Sequence, residues 1–369
     1  MHGLERDLVA PDWPPLAGDE VRQVLGRWFG REAEGAEILW RSPRPLSAAA
    51  LVRLPQSVVF VKRHHRRVRN LEQLALEHAL SSHLRYHGVA VPAAFPPAVQ
   101  LGEWVYEVHA QACGLDLYRD AASWTGFMSL GHAWSAGAGL AQFHGAAASF
   151  EPAERPPGVL VGSCALTLTP DLVEAVAQLT ARRPGLARSI TAYPWEEDFA
   201  RHLAPLASQL ARSAQHLPRA WAHCDWHPSN LTWTAAGPQA GVAEVIDLGL
   251  ANLTFAAHDI ATAIERCTIS WLDLAGSGHA EADLDSVDAF LDGYEAVRPL
   301  PPGEATALPA VLPAVHIEYA LSEVEYYADI VGSPQKADVA YKDYLLGHAR
   351  WFQGPDGARL IEHLGRRST

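Results

Sequence analysis

Apolar and polar positions along this chain follow two rhythms, one of strands and one of helices. Ser57-Val58-Val59-Phe60-Val61-Lys62 is a β-branched and aromatic run ending on a lysine, which predicts a strand. Ala36 to Trp40 and Ala49 to Leu54 read as two further strands of a small antiparallel sheet, and Val105 to Ala110 as its last strand and hinge. From Leu71 to Leu84 the pattern changes: Leu76, Leu80 and Leu84 recur every fourth residue, the spacing of one helix face. Tyr86-His87-Gly88 closes that helix, and Val91-Pro92 leads to the next strand. Helices are also expected over Val21–Phe29, Ala133–Ala147, Asp171–Arg188 and Asp198–Gln215. From Phe255 onward the chain reads as mostly helical, broken at Gly276-Ser277-Gly278 and at the proline cluster 299–302. One more strand pair stands out late in the chain. Leu231 to Thr234 and Val242 to Ile246 flank the turn residues Gly237-Pro238, predicting a hairpin centred on Pro238-Gln239.

The residues at the mouth of that hairpin carry chemistry. His223-Cys224-Asp225-Trp226-His227-Pro228-Ser229-Asn230 precedes it, and Val245-Ile246-Asp247-Leu248-Gly249 follows it. Asp225 is placed to take a proton from an acceptor hydroxyl, while Asn230 and Asp247 can hold Mg²⁺ against ATP phosphates. Pairing Asn230 with Asp247 across the hairpin brings both ligands to one mouth. Lys62 is the only lysine before Lys336 in a chain that otherwise uses arginine, which suggests a need for a compact ammonium at phosphate oxygens. Glu77, on the helix after it, is the favoured ion-pair partner, with Glu72 the rival that spacing leaves open.

These segments resemble the aminoglycoside phosphotransferase and choline-kinase-like family, with its H-G-D-x-H-x-x-N loop and I/V-D-F/W/L segment. Cys224 replaces the usual glycine and must adopt whatever backbone angles that glycine supplies. Leu140 and His144 also match the family's A-x-L-x-x-L/F-H helix. The resemblance runs over roughly residues 37–350 and implies an α+β, bilobal protein-kinase-like fold. It places an N-terminal segment at 1–36, an ATP-covering lobe at 37–108 and a mainly helical lobe with a helical insertion at 109–369. It further implies ATP and Mg²⁺ as cofactors and a small-molecule hydroxyl as acceptor. Backbone groups around Glu107 and His109 would meet adenine. His223, His227 and Asp259 would support the loop, Asp259 by bracing it from a helix start, although an ordinary N-cap explains Asp259 as well.

The phosphate-covering loop departs from the family. Arg41 to Ala48 contains two prolines and no glycine, so Ser42, Ser47, the alanines 48–50 and Arg44 would have to serve. The basic run Arg63-His64-His65-Arg66-Arg67-Val68-Arg69 reads first as a solvated start to the following helix, and otherwise as a feature near the phosphates or acceptor. Net charge of −13 argues against a nucleic-acid partner. The excess is one-sided: up to Trp195 there are 18 acidic and 18 basic residues, and beyond it 24 against 11. An acidic second lobe would draw in a cationic acceptor. Glu318, Glu323, Glu325 and Asp329, in or beside an aromatic and apolar stretch, are the candidates for that pocket wall, with a plain solvated helix face as the alternative.

Other classes compete. His223, Asp225 and His227 alternate as a zinc or di-metal hydrolase site would, with His258-Asp259 as extra ligands. That leaves Lys62, Glu77, Asn230 and Asp247 unused. A pseudokinase, or a kinase acting on protein serine or threonine, fits the same motifs. Cys113, Cys164, Cys224 and Cys267 show no metal-ligand spacing and read as reduced thiols. No apolar run reaches the roughly 18 residues of a membrane span, and the first seven residues lack a secretion signal. The expectation is a cytoplasmic protein with no membrane partner and an open oligomeric state.

Overall fold

The computed structural model describes residues 10–367, with nothing resting on the side chains of 275–277. The stretch read for a targeting signal and the first nine residues of the expected N-terminal segment lie outside the described residues.

Helix α1 (Gly18–Phe29) packs Val21, Val24 and Leu25 onto an antiparallel sheet. Its strands are β1 (Glu37–Arg41), β2 (Ala48–Arg53), β3 (Val58–His65), β4 (Val99–Leu101) and β5 (Trp104–Ala110), in the order β1-β2-β3-β5-β4. The apolar alternation of β3 puts Val59 and Val61 into this lobe's core. Lys62, on the opposite face, pairs in register with Glu107 of β5. Helix α2 (Leu71–Tyr86) follows β3; Asn70 caps it and Gln73 returns the hydrogen bond.

The second lobe is helical. Helix α3 (Leu130–Ala147) lies buried, and its contact with a later helix is close enough to require glycine. A Cβ on Gly137 would stand 1.9 Å from the Phe290 carbonyl oxygen, and one on Gly293 1.9 Å from that of Trp134. The single helix expected over 171–188 is instead two, α4 (Leu172–Arg182) and α5 (Pro184–Ile190). Pro184 removes a backbone donor and pushes Arg183 out of helical angles, so the chain breaks there. The expected 198–215 helix is α6 (Trp195–Asp198) and α7 (Ala204–Ala214), joined through a wide turn at Phe199–Leu203.

Strand β6 (Ala220–Ala222) leads into the loop of 223–230, and β7 (Leu231–Trp233) and β8 (Val242–Val245) form the hairpin after it. Leu231 faces Val245, so Asn230 lies opposite Ile246 rather than Asp247, one residue off the expected pairing. Strand β9 (Asn252–Thr254) pairs back onto β6, and α8 (Ala256–Thr268), buried along its whole length, runs beneath the loop. Helices α9 (Trp271–Ser277), α10 (Leu284–Val297), α11 (Pro302–Val311) and α12 (Ile317–Glu325) complete the part that concerns the site.

One node joins the lobes near the end of β3. Trp13 stacks on His65 and meets Tyr326 edge-on, Asp12 pairs with Lys336, and Arg67 and Arg188 both pair with Asp329. Among the described residues, no helix is long and apolar enough to cross a membrane.

Candidate active site

A cavity of about 330 Å³ opens between the lobes, lined on one side by Lys62, His64, Glu107 and His109 and on the other by Asp225, Asn230 and Asp247. Asp225 sits at its floor. Its loop is held from below by Asp259 of α8, whose carboxylate accepts the backbone N–H of His223 at 2.7 Å and of Cys224 at 2.8 Å. His144 of α3 meets the same carboxylate at 3.1 Å. Cys224 has φ of +60°, the left-handed backbone that the sequence demanded of a residue standing for glycine. His223 contacts the Ile246 carbonyl at 3.1 Å, tying the loop to the far strand.

The Asp225 carboxylate is gripped on two edges. Its Oδ2 accepts from Asn230 Nδ2 at 2.9 Å, and its Oδ1 pairs with Arg266 of α8. His227 is 3.6 Å from the same Oδ1. Burial, with Arg44 adding repulsion, pushes His227 down to about 3, so its imidazole is neutral and offers no charge to a phosphate. Burial likewise lowers His223.

Asp247 also has a left-handed backbone, with φ of +59°, and its Oδ2 lies 2.9 Å from Lys62 Nζ. Burial alone would raise the Asp247 pKa, but the Lys62 ammonium outweighs it and holds the carboxyl well below its ordinary range. Conversely, burial would lower Lys62, and Asp247 with Glu107 keeps it raised and charged. Asp247 and Asn230 offer hard oxygen donors at one cavity wall, a donor set suited to Mg²⁺.

Glu77 is not the partner of Lys62. It pairs with Arg155 at 2.8 Å and Arg69 at 3.0 Å, and both guanidiniums also hold the Gly249 carbonyl. The helix therefore reaches the Asp247 segment through two arginines, and Lys62 is left to Asp247. The basic run is correspondingly split: Arg63, His64 and Arg69 are buried, while Arg66 and Arg67 are exposed. Arg44 is spent on the Tyr118 and Ala121 carbonyls and Ser123 Oγ, which docks the glycine-free loop on the second lobe. Glu107 is enclosed by His64 at 2.8 Å, His78 at 3.0 Å and His109 at 2.8 Å. Burial works against its charge, but these histidines hold it well below the carboxylate range.

The expected acidic pocket wall is absent from this cavity. Glu318 accepts from the Leu166 and Thr167 backbone N–H groups, Glu325 pairs with Arg183, and Asp329 with Arg67 and Arg188. Glu323 is buried beneath Tyr319, and burial pushes it up to about 8. These four carboxylates are therefore spent on backbone amides, arginines and burial rather than on the cavity. The hydrolase reading also fails on geometry. Among the described residues, the metal-spaced His and carboxylate group is His78, Glu107 and His109, not 223, 225 and 227. Arg69, Arg155, Arg266, Trp124 and Tyr319 were missed. Two of them carried a signal: Arg69 as part of the basic run, and Tyr319 within the aromatic stretch read as a pocket wall; Arg155, Arg266 and Trp124 stood outside every motif.

Comparison with known proteins accounts for this arrangement. Residues 46–300 match the model of the phosphotransferase enzyme family, and the chain belongs to that family. It is thus a phosphotransferase with an alcohol group as acceptor. A homoserine kinase of Phenylobacterium zucineum is 30% identical over 76% of each chain. The fold is that of an aminopropanol kinase associated with a microcompartment (TM-score 0.56, 16% identity, 94% of this chain and 98% of that one). It is equally that of an amicoumacin kinase solved with AMP-PNP and Ca²⁺ (TM-score 0.57, 12% identity, 86% and 89%).

Proposed function

We propose that this protein transfers the γ-phosphoryl group of ATP, with Mg²⁺, to the hydroxyl of a small amino-bearing alcohol. The observation that carries this reading is the Asp225 carboxylate, fixed by Asn230, lining the same cavity as the Lys62–Asp247 pair. ATP as donor is supported by the AMP-PNP complex of the amicoumacin kinase. An amino alcohol is the chemistry shared by homoserine and aminopropanol, which the related kinases are named for.

Lys62 supplies a fixed positive charge for the donor phosphates, and its pairing with Asp247 keeps it ionised. Mg²⁺, when held by Asn230 and Asp247, neutralises phosphate charge and aligns the donor. Asp225 orients the acceptor hydroxyl and takes its proton as the new P–O bond forms, while the bond from the γ-phosphorus to the bridging oxygen breaks and ADP leaves. Asp259 acts behind it, holding the loop through two backbone N–H groups.

ADP release should be measured with Mg-ATP across amines, amino alcohols, hydroxy amino acids, aminoglycosides and neutral sugars, beside Asp225→Ala. We expect acceptor-dependent ADP release from the wild type and a loss of several orders of magnitude in the variant, with nucleotide affinity retained. Unchanged turnover in Asp225→Ala would sink the assignment. Tight Mg-ATP binding without turnover on any acceptor would favour the pseudokinase or a protein-directed kinase.

A further inference from the structure

Three side chains on the small-lobe wall of the cavity converge as ligands of a metal ion would, and the scheme above gives them no task. His78 comes from α2, while Glu107 and His109 stand two residues apart on β5, so the pleat turns both to one face of the sheet. His78 and Glu107 are buried and His109 is half-buried. One donor atom from each lies within 4.8 Å of the other two. His78 Nε2 at 3.0 Å and His109 Nε2 at 2.8 Å both meet the same oxygen, Glu107 Oε2. The third imidazole, His64 of β3, takes the other oxygen, Oε1, at 2.8 Å.

The rings are placed as a shared ion requires. Two imidazoles bound through Nε2 to one tetrahedral ion have centres about 5 Å apart, given metal–nitrogen bonds of about 2.1 Å. The His78 and His109 centres are 5.5 Å apart, with the planes at 87°. His78 Nδ1 is buried without a partner, so no neighbour fixes that ring's tautomer and Nε2 can present its lone pair. We propose that His78, Glu107 and His109 bind a divalent transition-metal ion of the zinc class, at a site separate from Asn230 and Asp247. Two imidazoles and a carboxylate suit zinc, whereas Mg²⁺ selects oxygen donors in an octahedral shell. Three protein ligands leave a fourth tetrahedral position for water, and the cavity that all three line gives the ion its way in. His64 holds the remaining carboxylate oxygen from outside the ligand set, as the outer partners of metal-bound carboxylates do. The ion joins α2 to β5, and so fixes the helix on which Glu77 precedes His78.

The test is a titration of the full chain, stripped with chelator and desalted, with Co²⁺ and then Zn²⁺ in the presence of excess Mg²⁺. We expect one Co²⁺ per chain with the visible absorption of a four-coordinate site, a Kd on the order of a micromolar or tighter, and displacement by Zn²⁺. Bound Zn²⁺ should also raise the melting temperature. His78→Gln and His109→Gln should each weaken Co²⁺ binding by about a hundredfold or more. His64→Phe should weaken it by about ten- to a hundredfold, the effect of losing an outer partner. Crystals soaked in Zn²⁺ and measured at the zinc absorption edge give the position without any variant, and decide the matter should a variant fail to fold. The expected peak is bonded to His78 Nε2, His109 Nε2 and the Glu107 carboxylate. No binding, binding unchanged in both glutamine variants, or a peak only at other residues overturns the inference and leaves the cluster a hydrogen-bonded carboxylate. Each readout is of binding, so the outcome is independent of whether the protein transfers phosphate.

Discussion

At the scale of single residues, the site depends on side chains and backbone angles that chemistry restricts to few choices. Cys224 and Asp247 both hold left-handed φ without being glycine, and each borders the reacting groups. Gly162 is what makes room for the first of them, since a Cβ there would lie 2.4 Å from Cys224 Cβ and 2.5 Å from the Leu250 carbonyl oxygen. Gly162→Ala should therefore cost about 2 kcal/mol of stability, as overpacking does, and lower kcat by displacing the loop. Urea unfolding and steady-state kinetics would show this, with Gly145→Ala as the control: it meets nothing within 4 Å and, inside helix α3, should stabilise by about 0.5–1 kcal/mol without changing kcat. That Asp225, Asn230, Asp247 and Lys62 gather at one cavity was legible in the sequence from their residue types and spacing. The partner of Lys62 was not legible. An ion pair is decided by which charges the fold brings within reach, and Arg69 and Arg155 reach Glu77 first.

Among elements, α2 shows how a helix can be tied to a distant segment by charge rather than by apolar packing alone. Its Glu77 holds two guanidiniums that both bind the Gly249 carbonyl, two residues past Asp247. Glu77→Gln would leave Arg69 and Arg155 facing each other without an anion. We expect a loss of about 3 kcal/mol in urea unfolding, the usual cost of breaking a buried pair from one side. A rise in the KM for Mg-ATP should accompany it. Strands and helices themselves were readable from periodicity, and errors fell where local rules compete. Pro184 divided an otherwise continuous amphipathic pattern. A one-residue slip in the hairpin moved Asn230 opposite Ile246, because turn geometry, which residue types constrain only loosely, sets the register. The acidic stretch 318–329 misled because composition reports charge without direction, and its carboxylates turn toward backbone amides and arginines.

Across the molecule several described histidines are buried and held neutral, and they shape its response to pH. Burial lowers His227 to about 3, and His258 and His316 to about 4. Between those values and the ordinary 6.5 the unfolded chain binds more protons, so stability rises with pH by about 1.4 kcal/mol per unit for each group. Glu323, raised by burial to about 8, acts in the opposite sense. Its folded form keeps a proton that the unfolded chain has released above about 4.5, so it withdraws stability up to pH 8. Burial lowers His64, His223 and His348 as well, so the histidines dominate below pH 6.5, and above it Glu265, which burial also raises, adds to Glu323. Melting temperature should thus peak near pH 6.5 and fall steeply toward pH 4.5 and gently toward pH 8; a flat profile would contradict the burial of these groups. The node at Trp13, His65, Arg67, Tyr326 and Asp329 has a different consequence. It fastens the end of β3, the strand of Lys62, to the turn that continues α12, the helix of Tyr319. Any swing of the small lobe then drags the Tyr319 wall of the cavity with it. Donor and acceptor grip are mechanically one movement, so each ligand should tighten the other by the same factor, a reciprocity that requires no contact between them.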